Sequence, residues 1–108
     1  MLFRSLNPPL LTGTNEQVID GEGAYGRYCA GCHGAGGVAD KSIPDLRYSD
    51  ALERFNRWDS IVTGGARADK GMASFGKVLA AGQSEAIYHY IVSQANKAKA
   101  AQEASAKK

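Results

Sequence analysis

Cysteine and histidine are scarce in this chain of 108 residues, which has only Cys29 and Cys32, His33 and His89. A four-ligand zinc site would have to use both cysteines and both histidines, so zinc is poorly served. Alternating apolar and polar runs are missing before Cys29. A thioredoxin-like dithiol would normally close a strand and open a helix, so that reading also lacks its usual frame. No apolar run approaches the length needed to cross a bilayer. The opening Met1–Leu6 has neither a basic n-region nor a seven-residue apolar h-region, and Pro8-Pro9 interrupts it, so it does not read as a signal peptide. Charge of one sign is lacking as well. Net charge is +2, but Lys97, Lys99, Lys107 and Lys108 stand against Glu103 alone after Gln94, leaving nine basic and ten acidic side chains for the rest. A nearly neutral body with a basic tail argues against a nucleic-acid-binding surface. The glycine-rich Gly34-Ala35-Gly36-Gly37 has no following Gly-Lys-Ser/Thr, so it is not a phosphate cradle.

What is present is Cys29-Ala30-Gly31-Cys32-His33. Two thiols three positions apart, with a histidine directly after the second, match the requirement for covalent c-type haem attachment. Each sulfur adds to one porphyrin vinyl group, and the imidazole is held under the iron as its proximal ligand. Zinc and dithiol chemistry stay open beside it. A chain of this length is one domain with a modest apolar core, which a buried haem would enlarge.

Residues 1–13 carry Pro8-Pro9 and no periodicity, and read as an extended linker or arm lying on a surface. Thr14-Asn15-Glu16-Gln17 fits a capping box and predicts a helix start. Val18, Gly21, Tyr25, Tyr28, Cys29 and Cys32 recur at three- and four-residue steps, so both thiols share one helical stripe. A glycine costs a helix about 1 kcal/mol relative to alanine, and Gly21 on the buried stripe points to a second backbone crossing there. Pro44 offers a carbonyl suited to accept the second ring N–H of His33. Arg47 reads either as a partner for a haem propionate or as a solvated arginine. Ser49 is expected to cap a short helix running through Leu52 and Phe55.

Trp58, Ile61 and Val62 lie at helical spacing before Gly64-Gly65, and are expected to wall the haem pocket, with the Trp58 N–H within reach of a propionate. Met72 sits in an irregular, glycine-flanked stretch and offers a soft thioether as sixth iron ligand, with core packing as the alternative. A helix is expected from about Ser84 to Ala98 with Ile87, Tyr90, Ile91 and Gln94 on its buried face. On that wheel His89 points outward, as a solvated surface histidine. Residues 97–108 have helix-forming composition without an apolar stripe, and should extend the helix or fray. The domain proper is thus residues 14–96.

Thr14 to Val92 resembles a class I c-type cytochrome. More narrowly, Pro44-Asp45-Leu46-Arg47-Tyr48-Ser49, Ile61-Val62-Thr63-Gly64-Gly65-Ala66, Gly71-Met72-Ala73-Ser74-Phe75 and Ala86-Ile87-Tyr88-His89-Tyr90-Ile91 are similar to the C-terminal cytochrome domain of quinohaemoprotein alcohol dehydrogenases. Ala73 departs from the pattern, which has proline after the ligand methionine. The resemblance implies an all-α fold whose terminal helices cross near Gly21 and Tyr25. It also implies a partner, a propeller domain holding pyrroloquinoline quinone that hands over electrons singly for delivery to an external acceptor. The expectation is therefore a monomeric, periplasmic one-electron carrier with one covalent haem c and its iron between His33 and Met72. It is not an enzyme, and its acceptor is a small redox protein or an oxidase. Haem attachment to such a motif is completed outside the bacterial cytoplasm, so a signal was removed or the chain is a domain of a larger exported protein. Its alternative is a free-standing periplasmic cytochrome serving another dehydrogenase or an oxidase. A small haem enzyme or gas sensor with a vacant sixth site, and a non-haem metal or thiol module, are the other classes.

Overall fold

The computed structural model describes residues 8–33, 46–66, 75–80 and 82–106. Helix α1, Asn15–Tyr28, begins as its sequence dictates: the Thr14 hydroxyl accepts from the Gln17 amide at 3.1 Å, and the Gln17 side chain accepts from the Thr14 amide at 2.9 Å. Both halves of the capping box are made, so two amides that a helix start would otherwise leave unpaired are satisfied. The helix loosens at Cys29 and resumes for one turn as α2, Ala30–His33, with the His33 amide donating to the Cys29 carbonyl.

Helix α4, Gln83–Ala106, crosses α1 at Gly21. A Cβ there would overlap the Ala86 carbonyl and stand 2.9 Å from Cβ of Tyr90, so the two backbones touch as the buried glycine predicts. Tyr25 and Tyr90 close the crossing with ring centroids 5.4 Å apart. Ile87, Ile91, Val92 and Ala95 are almost wholly shielded and form the centre of the core with Tyr25, Leu52 and Trp58. The fold among the described residues is all-α, with its first and last long helices in contact.

Two expectations change. His89 is not a solvated residue: it is only 6 % exposed. The arm ahead of α1 lies on the face of α4 that the helical wheel assigns to water. A Cβ on Gly13 would sit 2.7 Å from both Cβ and Nδ1 of His89, and Asn96 Nδ2 donates to the Pro9 carbonyl at 3.0 Å as well as to its own helix at Val92. The middle of α4 is consequently buried on nearly every side, Ser93 included. The short helix after Ser49 is the second change. Ser49 does cap it, accepting from the Ala51 amide at 3.1 Å, but it is a 3-10 turn over Asp50–Glu53. Arg54, in an extended conformation, ends it, and Phe55 opens a separate helix α3, Phe55–Val62. A first 3-10 turn, Leu46–Tyr48, precedes Ser49.

Helix α3 stops where Gly64-Gly65 predicts. Gly65 adopts φ 73°, a left-handed geometry that glycine takes without strain. The free carbonyls at this end are then used: Asp59 O accepts from Thr63 and Gly64 amides, Ser60 O from Ala66, and Val62 O from Phe75 at 2.7 Å. Beyond Asn96 the composition is realised as helix, since α4 runs to Ala106, and Gln102 Nε2 donates to the Tyr48 hydroxyl at 3.1 Å.

Candidate haem pocket

The break between α1 and α2 places the attachment residues. Cys29, as the residue that closes α1, still donates its amide to the Tyr25 carbonyl at 2.8 Å, so its direction is fixed by the helix, and its side chain is 9 % exposed. His33 follows one turn later and is half-buried. Both open on a cleft of about 360 Å³, part of it continuous with solvent. Leu46, Ser49, Ala51, Trp58, Ile61 and Val62 line the rest of it. These walls are almost entirely carbon.

Trp58 is 4 % exposed, and its indole N–H donates to the Ser84 carbonyl at 3.2 Å. That bond replaces the propionate contact its sequence position allows. The indole meets Tyr88 edge-on, with centroids 5.9 Å apart, and Tyr88 meets Phe55 in the same way at 5.6 Å. The Tyr88 hydroxyl donates to the Leu52 carbonyl at 2.7 Å in a buried setting, and burial pushes its pKa up. Tyr90 is pushed up too, by burial first and by the nearby Glu22 carboxylate second. Arg47 is half-buried, with its guanidinium 5.8 Å above the Tyr48 ring. Four of the expected site residues, Cys29, His33, Trp58 and Ile61, line one cleft. Pro44, Met72 and the side chain of Cys32 lie outside what the structure describes. Leu46 and Ala51 are wall residues that periodicity does not mark, because they sit in or beside 3-10 turns; only their closeness to Pro44 and Ser49 in sequence hints at them.

A buried thiol and an imidazole one turn apart, facing a carbon-lined cleft, are what a covalently held porphyrin needs, and these residues fit that group. Residues 16–91 match the family described as cytochrome c oxidase, cbb3-type, subunit III. The chain belongs to this family of cytochrome c domains. It is 38 % identical over 87 residues to quinohemoprotein alcohol dehydrogenase ADH IIB of Pseudomonas putida, a match covering 81 % of this chain and 12 % of that protein. It is 32 % identical over 95 residues to the dehydrogenase subunit of alcohol dehydrogenase (quinone) of Acetobacter aceti, covering 87 % of the chain and again 12 % of the relative. The solved structure of quinohemoprotein alcohol dehydrogenase ADHIIG from Pseudomonas putida HK5 superposes with a TM-score of 0.75 at 30 % identity, over 85 % of this chain and 13 % of that one. The fold is thus the all-α cytochrome c fold, and the protein is a cytochrome c electron carrier related to the haem domains of these dehydrogenases. Membership of the family implies covalent haem c. No helix among the described residues is long and apolar enough to cross a membrane.

Proposed function

We propose that this cytochrome c domain relays single electrons in the periplasm from a quinone-loaded alcohol dehydrogenase domain to an external acceptor. The observation that carries the reading is the shared opening of Cys29 and His33 onto the cleft walled by Trp58, Ile61 and Val62. Cys29 and Cys32 hold the porphyrin by thioether bonds, and His33 and Met72 ligate its iron. When bound, the haem supplies a ferric/ferrous couple, and His/Met ligation biases it toward the ferrous form. The Pro44 carbonyl would accept the second ring N–H of His33 and fix the imidazole plane. Arg47 balances a propionate. The carbon walls present few polar groups that would reorient when the charge changes.

The similar proteins are quinone-dependent alcohol dehydrogenases, and the charge distribution of this chain suits such a donor. A nearly neutral body with its surplus of positive charge in the tail is suited to a partner held close rather than to one steered from a distance. Replacing Met72 by alanine should abolish the weak far-red sulfur-to-iron band of the ferric protein, lower its potential and open the iron to carbon monoxide; a surviving band would place the ligand elsewhere. In stopped-flow mixing, a quinone-loaded propeller domain should reduce the protein quickly, with weak dependence on salt. Absence of reduction, or a steep loss of rate with added salt, would favour a free-standing cytochrome guided by charge.

A further inference from the structure

The contact between α3 and the first turn of α4 is more specific than packing requires. Two adjacent residues of α3 grip one residue of α4. Trp58 donates its indole N–H to the Ser84 carbonyl at 3.2 Å, and the Ser84 hydroxyl donates to Asp59 Oδ1 at 2.9 Å. Ser84 is 7 % exposed; the indole bond lies away from competing water, and the bond to Asp59 is partly shielded from it. Ser84 is the second residue of α4, where the helix start attracts negative charge, and this favours the Asp59 carboxylate in its place. Asp59 is itself fixed, because its carbonyl takes the Thr63 and Gly64 amides and the Thr63 hydroxyl at the end of α3.

We infer that Asp59 and Ser84 are positioning residues that lock the Trp58 indole as the immobile wall of the pocket. The edge-on Tyr88 ring limits the tilt of the indole but leaves it able to slide, whereas the bond to Ser84 fixes its pivot. Asp59 acts one step further away, holding the Ser84 backbone at the height of the indole N–H. Because that N–H is committed to Ser84, Trp58 meets whatever fills the cleft with carbon only. A porphyrin against it is positioned by shape. This last consequence rests on the haem reading above; the clamp itself does not.

Trp58 is the single tryptophan, so one indole N–H signal reports on it without ambiguity. In the reduced, diamagnetic protein that proton should exchange slowly with solvent. Asp59→Ala removes the acceptor of the Ser84 hydroxyl without touching the Trp58–Ser84 bond, and should speed exchange of the indole proton about tenfold relative to the Tyr25 amide in α1. Asp59→Asn keeps an oxygen acceptor and should leave it near the wild-type rate. The Soret circular dichroism of the haem-loaded protein should change shape in Asp59→Ala and not in Asp59→Asn. The clamp is overturned if the indole proton of Asp59→Ala exchanges as in the wild type, or only in step with Tyr25, since that would mark general loosening. An altered exchange rate with an unaltered Soret signal would overturn the consequence for the haem. A protein carrying no haem would defeat the haem reading and leave the exchange result as the test of the clamp.

Discussion

Gly21 lies where the Ala86 carbonyl leaves no room for a side chain, while Gly23 and Gly26, on the exposed side of the same helix, have nothing within 4 Å of a Cβ. The three positions therefore respond to alanine with opposite sign. At Gly23 or Gly26 alanine gains helix propensity and should stabilise the fold by about 0.5–1 kcal/mol. At Gly21 the same gain is outweighed, because the obstacle is rigid backbone rather than a flexible side chain, and forced overpacking costs about 1–3 kcal/mol. Gly21→Ala should lower the urea midpoint and Gly23→Ala should raise it, with equal slopes. Position on the stripe was enough to single out Gly21 from the sequence, since the reasoning needs only the period of α1. The role of His89 needed more. Its burial depends on Gly13 and the arm, which no local periodicity reports.

Among the elements, α4 differs most from its sequence pattern. Of its expected buried face, Ile87, Tyr90 and Ile91 are buried and Gln94 is half-buried, while His89 and Ser93 on the opposite side are buried as well. The cause is a contact spanning 87 positions, the bond from Asn96 to Pro9. Asn96→Ala leaves the Pro9 carbonyl without that donor and should cost about 1 kcal/mol, read as a lower unfolding midpoint. Loss of stability with the arm residues still protected from protease would contradict the tether. Elsewhere short-range chemistry sufficed: Thr14 with Gln17 marked the start of α1, and Gly64-Gly65 the end of α3. The split at Arg54 was not legible, because an extended residue between two short helices leaves no mark in composition. The cleft was half-legible for the same reason. Residues on regular α-turns, Cys29, Trp58 and Ile61, were identified, whereas Leu46 and Ala51 depend on 3-10 geometry.

At the scale of the molecule, the core holds two tyrosines whose burial favours the neutral phenol. Tyr88 and Tyr90 both have a pKa raised from 10.0. An unfolded chain loses those protons first, so stability is level below about pH 10 and falls as pH rises above it toward the folded-state values. Tyr88→Phe should flatten that fall while lowering stability at neutral pH, where the bond to Leu52 is lost. Unfolding midpoints at a series of alkaline pH values check both. The cleft lined by Cys29, His33 and Trp58 interrupts that core, so a group that fills it would complete the fold as well as carry the electron. The central claim is that this group is a haem bonded through Cys29 and Cys32. Intact mass of the denatured, reduced protein tests it most directly. The expected value exceeds that of the polypeptide by one haem, which acid and organic solvent do not remove. A mass equal to that of the bare chain, or a porphyrin that extracts into solvent, would contradict it.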